Sequence, residues 1–95
     1  MDNRGNYKII DAHCDTLSEL ADRGGSFENN GLCISLDKLR AYGGYVQFFA
    51  AWLDDAEHAP LQRVRLLIDR FYTELSKCSG TMLPVLSAED FGKAF

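Results

Sequence analysis

From Tyr45 to Trp52 the chain runs Tyr-Val-Gln-Phe-Phe-Ala-Ala-Trp, eight residues without a single charge. This run limits the possible folds more than any other feature. A strand with almost no polar alternation needs cover on both faces, which is the condition of a parallel sheet flanked by helices. Gly43-Gly44 leads into it. An earlier run, Tyr7 to Asp15, also reads as a strand, apolar at its start and polar at its end. The segments between and after the two strands carry helical signals. Leu17 to Asp22 predicts a short amphipathic helix closed by Gly24-Gly25, and Ser26 to Gly31 predicts a loop with an Asn29-Asn30-Gly31 turn. Ser35 to Tyr42 predicts a second helix, with Ser35 accepting a hydrogen bond from a first-turn amide and Gly43 in the left-handed position after its end.

The longest predicted helix begins with Pro60 in its first turn and runs to about Lys77. Leu61, Val64, Ile68, Phe71 and Leu75 form its apolar stripe, widened by Leu67 and Tyr72, while Arg63, Arg65 and Arg70 are assigned to the wet face. After Ser79-Gly80 comes an extended stretch, Met82 to Leu86, and then a helix start. Ser87 is the expected cap and Asp90 the residue that reaches back to it. Strand, helix, strand, helix is the grammar of an α/β fold. Two strands cannot complete such a sheet, so the expectation is that residues 1–95 are the first part of a single domain, cut before a third strand.

Composition narrows the function classes. A net charge of −4 with scattered Lys and Arg is the wrong footprint for nucleic acid. The polar lead from Met1 to Lys8 has no leader-like apolar run, and no stretch approaches the roughly 20 apolar residues of a membrane helix, so a cytoplasmic protein is expected. Three cysteines without Cys-x-x-Cys spacing suggest reduced, mostly buried thiols rather than disulfides or a structural zinc site.

Chemistry concentrates at the end of the first strand. Side chains alternate along a strand, so Asp11, His13 and Asp15 share one face and Cys14 takes the other. His13 and Asp15, about 6.6 Å apart along a strand, can converge on one metal ion. Three ionisable groups on one strand-end face are costly unless they meet a metal, a ligand or water. The alternative is an ordinary strand-end hydrogen bond. Gln47 is open to a supporting role at the site or to ordinary hydrogen bonding, and Trp52 to a pocket wall or to core. His58, with Asp54, Asp55 and Glu57, reads as a solvated stretch before a helix.

Asp11-Ala12-His13-Cys14-Asp15-Thr16-Leu17 resembles the opening metal motif of the membrane-dipeptidase family, zinc dipeptidases of the amidohydrolase group that use His-x-Asp where most of the group has His-x-His. Leu39 to Trp52 is similar to that family's L-R-x-G-x-V-G-x-Q-F-W-x-x-Y segment, and Ser87 to Phe95 to the helix before its third strand. The resemblance covers nearly all of the chain but only the amino-terminal quarter or third of such an enzyme. It implies a (β/α)8 barrel of the TIM type, a metal-dependent hydrolase with two zinc ions at its mouth. His13 and Asp15 would hold the first ion, and Trp52 would stand near the substrate. A bridging glutamate and two histidines would follow Phe95, together with the remaining catalytic groups. The implied activity is dipeptide hydrolysis, by a complete protein that forms a homodimer. The departures are Thr16 and Leu17, where the family often has a small residue, Pro and Trp, and Trp52, where Tyr is frequent. They bear on pocket shape and leave the metal motif intact. Another amidohydrolase-type metal hydrolase, or an inactive fragment that serves as an interaction module, stands as the alternative.

Overall fold

The computed structural model describes residues 2–95; Met1, the first residue of the polar lead, lies outside them. The chain is mixed α/β with a small parallel sheet. After a 3-10 turn at Arg4–Asn6 come β1 (Lys8–Cys14), α1 (Thr16–Arg23), α2 (Leu36–Leu39), β2 (Gly44–Phe49), α3 (Pro60–Ser76) and α4 (Ala88–Gly92). Among the described residues no helix is long and apolar enough to cross a membrane.

β1 and β2 pair in parallel, from Lys8 opposite Gly44 to Asp11 opposite Gln47. The ladder continues outward through Gly43 N–H to Tyr7 O (2.8 Å) and Ala50 N–H to Cys14 O (3.0 Å). Between Asp11 and Cys14 the register slips. The next pair is Cys14 with Phe49, so Ala12 and His13 together face Phe48, a bulge of one residue in β1.

The core lies mainly between α1 and α3 and the loop that joins α1 to α2. Leu17 and Leu20 of α1 meet Leu67 and Leu75 of α3, with Phe27, Leu36 and Cys78 closing the cluster. The sheet reaches this core chiefly through Phe49, whose ring stacks on Phe27 at 4.9 Å, while Phe71 approaches both rings. α1 ends where Gly24 takes a positive φ of 81° and donates its N–H to Leu20 O, a turn that a side chain would resist.

Four expectations are corrected. Ser35 stands at the N-cap of α2 without capping it. Its hydroxyl accepts from Asn30 N–H (3.2 Å) and faces Glu28 O, while the first-turn amides of Leu36 and Asp37 donate to Phe27 O and Glu28 O. The loop backbone supplies the acceptors and leaves the hydroxyl to brace the loop. Gly43 has no positive φ; it is required because a Cβ there would come closer than 3.0 Å to Gly5 O. β2 is not covered along its whole length: Val46 is buried, but Phe48, two residues further along the same face, is 55 % exposed. The two helices pack on each other more than on the sheet, and β1 is the only strand paired with β2 among the described residues.

The fourth correction concerns α3, whose buried side is Leu67, Glu74 and Leu75 rather than the full stripe. Leu61, Ile68 and Tyr72 are exposed, whereas Arg63 and Arg70 turn inward. Arg63 pairs with Asp22 of α1 (2.9 Å), and Arg70 donates to Gly25 O (2.7 Å) and pairs with Glu74 (3.1 Å). Polar partners on α1 and its loop draw these arginines in. The Ile68–Tyr72 side then faces β2 across an apolar groove of about 740 Å³ that also touches Met82, Leu83 and Phe91.

α4 matches its sequence signals closely. Ser87 Oγ accepts from Asp90 N–H (3.2 Å), and Asp90 Oδ2 accepts from Leu86 N–H (3.1 Å), one residue earlier than the cap itself.

Candidate metal centre

β1 delivers His13 to the carboxyl end of the parallel pair, and the chain turns into α1 immediately afterwards. Asp15 has left the strand and stands at the N-cap of α1 with φ −104° and ψ 15°. The shared face expected from alternation therefore arises by another route. The bulge and the turn together bring His13 Nε2 to 3.1 Å from Asp15 Oδ1. Both side chains are 60 % exposed, so a ligand can reach them from solvent.

Two donors each 2.0–2.2 Å from one ion at a tetrahedral angle stand about 3.3–3.6 Å apart. The observed 3.1 Å is a few tenths short of that span, the separation of a hydrogen-bonded pair that needs little movement to chelate. An imidazole nitrogen with a carboxylate oxygen is a donor set suited to zinc. Among the described residues, however, no group of three or more His, Cys, Asp or Glu side chains is arranged to hold a metal. The pair supplies two possible donors.

The pair opens into a shallow cleft of about 550 Å³, shared with Asp11, Glu19, Cys33 and Ile34. Asp11 Oδ1 accepts from His13 N–H at 3.2 Å. Glu19 is turned to Arg23 (3.0 Å). Cys14 also lines the cleft, although most of its residue is buried, and burial pushes its thiol up from the ordinary value despite hydrogen bonds involving Thr16. Its residue borders the same cleft as His13 and Asp15, so the opposite face expected from alternation does not remove it from the site. Cys33 and Glu19 escaped sequence analysis. Glu19 sits one helical turn after Asp15 and could be found by that spacing, whereas no local signal ties Cys33 to His13.

The other candidates are more dispersed. Trp52 follows β2 by three residues, at the same carboxyl end of the sheet; it is 55 % exposed and lies outside the lining of the His13–Asp15 cleft. Gln47 pairs with Asp11 across the ladder. Its Nε2 donates to Phe48 O (3.2 Å), while its Oε1 is buried with no partner. The acidic stretch before α3 forms local turns: Asp54 Oδ1 accepts from Ala56 N–H and Glu57 Oε1 from Ala59 N–H, with His58 exposed. All three cysteines are free, Cys14 and Cys78 buried and Cys33 exposed. Comparison with family models, with curated proteins and with solved structures finds no match for this chain.

Proposed function

We propose that this chain is the amino-terminal part of a zinc-dependent dipeptidase with a (β/α)8 barrel, and that His13 and Asp15 hold the first of its two zinc ions. The observation that carries the reading is the 3.1 Å approach of His13 Nε2 to Asp15 Oδ1 at the carboxyl end of a parallel strand pair. In parallel barrels that end is where catalytic groups gather. The uncovered groove beside β2 supports it as well, because strands following β2 in a barrel would fill such a space. Zinc in this place supplies an acidified water and a Lewis-acid pull on the peptide carbonyl. The chain's own part is to present a nitrogen donor from the end of β1 and an oxygen donor from the N-cap of α1. Trp52, at the same end of the sheet, is assigned to the wall that receives the dipeptide side chain. In this reading the complete protein is a cytoplasmic homodimer.

Two ligands hold zinc loosely, since catalytic sites use about three plus water. Residues 1–95 alone are therefore expected to bind Zn²⁺ weakly and to hydrolyse nothing. The decisive step is to read the gene past the codon for Phe95. The proposal expects a strand ending in Glu and, later, two separated histidines; a stop codon there rules out the dipeptidase. In the complete protein, His13→Ala should abolish zinc-dependent cleavage of a dipeptide. Preferential turnover of an N-acyl amino acid or a nucleic acid would instead point to another metal hydrolase. Unchanged metal content in His13→Ala would reduce His13 to a surface histidine.

A further inference from the structure

His13 and Asp15 do not meet by strand alternation alone. Ala12 and His13 together occupy the space opposite Phe48, and Asp15 is already in the turn to α1. A bulge of this kind re-aims a side chain, and a partner within the chain for its unpaired backbone groups holds it in one geometry. The group that satisfies His13 N–H is the carboxylate of Asp11, two residues earlier, through Oδ1 at 3.2 Å. Asp11 is itself seated in the regular part of the ladder, opposite Gln47, and it is half-buried. Its charge reaches neighbours on that face: it contributes, after burial, to raising the Tyr45 phenol.

We infer that Asp11 is a positioning residue: by accepting the His13 amide it holds the bulge that turns the His13 ring toward Asp15. Its effect on zinc rests on the metal proposal above; its effect on the His13–Asp15 pair does not. In this inference Asp11 acts through His13 rather than as a ligand. Its carboxylate also leaves a further negative charge beside the pair, which favours a cation in the cleft. An uncharged acceptor of the same shape should do the positioning equally well. That separates positioning from a simple charge effect.

The test uses the isotopically labelled 95-residue chain with Asp11→Ala and Asp11→Asn, followed by nuclear magnetic resonance. Without metal, solvent exchange of the His13 amide and the ring nitrogen shifts of His13 report the bulge and the Nε2 contact with Asp15. Titration with Zn²⁺ alone then reports affinity. Asp11→Ala should speed His13 amide exchange by about tenfold or more, shift the ring nitrogens, and raise the zinc midpoint by about tenfold, the usual effect of losing an outer partner. Asp11→Asn should keep the wild-type amide exchange and ring nitrogen shifts, and raise the zinc midpoint by less than Asp11→Ala does. Wild-type amide exchange in Asp11→Ala overturns the inference, as does an Asn variant that behaves like Ala. So does lost amide protection with unmoved ring nitrogens. If the wild-type chain gives no response to zinc, the expectation of weak binding by residues 1–95 fails, and the metal-free measurements alone decide the role of Asp11. Should Asp11→Ala fail to fold by circular dichroism, Asp11→Glu, whose longer arm displaces the acceptor, is read in its place.

Discussion

Glu74 is the residue whose placement costs most. Its side chain is 1 % exposed, with Oε2 accepting from Lys77 Nζ (3.0 Å) and lying 3.1 Å from Arg70 Nε as an ion pair without a hydrogen bond, and with Oε1 unpartnered. Breaking a buried pair leaves the remaining charge poorly solvated. Arg70 and Lys77 both reach water, however, so Glu74→Ala should destabilise by only about 1–3 kcal/mol in urea unfolding. Because Arg70 also holds Gly25 O, the variant should loosen the loop between α1 and α2, which carries Cys33 to the cleft. The thiols differ in a related way. Burial pushes both Cys14 and Cys78 up, keeping them as thiols, whereas Cys33 is exposed. An alkylating reagent near neutral pH should label Cys33 first, which peptide mass spectrometry resolves; equal labelling of all three would contradict the packing.

At the scale of elements, each helix end shows how far local chemistry reaches. Pro60 opens α3, Gly24 closes α1 and Ser87 caps α4, all through contacts within a few residues. The α4 cap is pH-dependent. The Leu86 amide, then Lys93 and Ser87, hold the Asp90 carboxyl below its ordinary value. A lowered folded-state value means that the cap's contribution is fully present above the unfolded value of about 3.9 and is lost as pH falls through the lowered one. Acid titration should therefore fray α4 at its start before the core opens, visible as amide shifts at Leu86 and Asp90. Simultaneous loss of α1 and α3 signals would assign acid unfolding to another group. At Ser35 the same residue type at the same helix position does something else, because the loop had already supplied the acceptors.

The whole molecule is drawn out, 48 × 29 × 24 Å, with a radius of gyration of 14.2 Å. A compact domain of this length has about 12.4 Å. The excess has a cause in the packing: α1 and α3 share one core, and the sheet touches it mainly at Phe49, leaving the groove beside β2 open. With so few buried side chains, each matters. Leu67 has no exposed surface, and Leu67→Ala should cost about 2–5 kcal/mol, a large share of the roughly 5–15 kcal/mol typical of native proteins. Urea or thermal unfolding followed by circular dichroism measures it. A loss below about 1 kcal/mol would mean that the α1–α3 core is not what holds the chain together.

What could be read from the sequence follows one physical boundary. Element types, their order, the caps at Gly24 and Ser87 and the partnership of His13 with Asp15 rest on interactions between residues close in the chain, so a local pattern suffices. Even there, alternation brought His13 and Asp15 together for an incomplete reason, because the bulge at Ala12–His13 depends on how β1 meets β2. Which side of α3 is buried, why Phe27 joins the core from a loop, why Trp52 and Phe48 stand half in water, and why Cys33 borders the cleft were decided only by tertiary structure. Each depends on a group offered by a distant part of the chain: Asp22 to Arg63, Gly25 O to Arg70, or the ring of Phe49 to Phe27. Hydrophobic periodicity shows that a face can be buried; the partners brought by folding select the face.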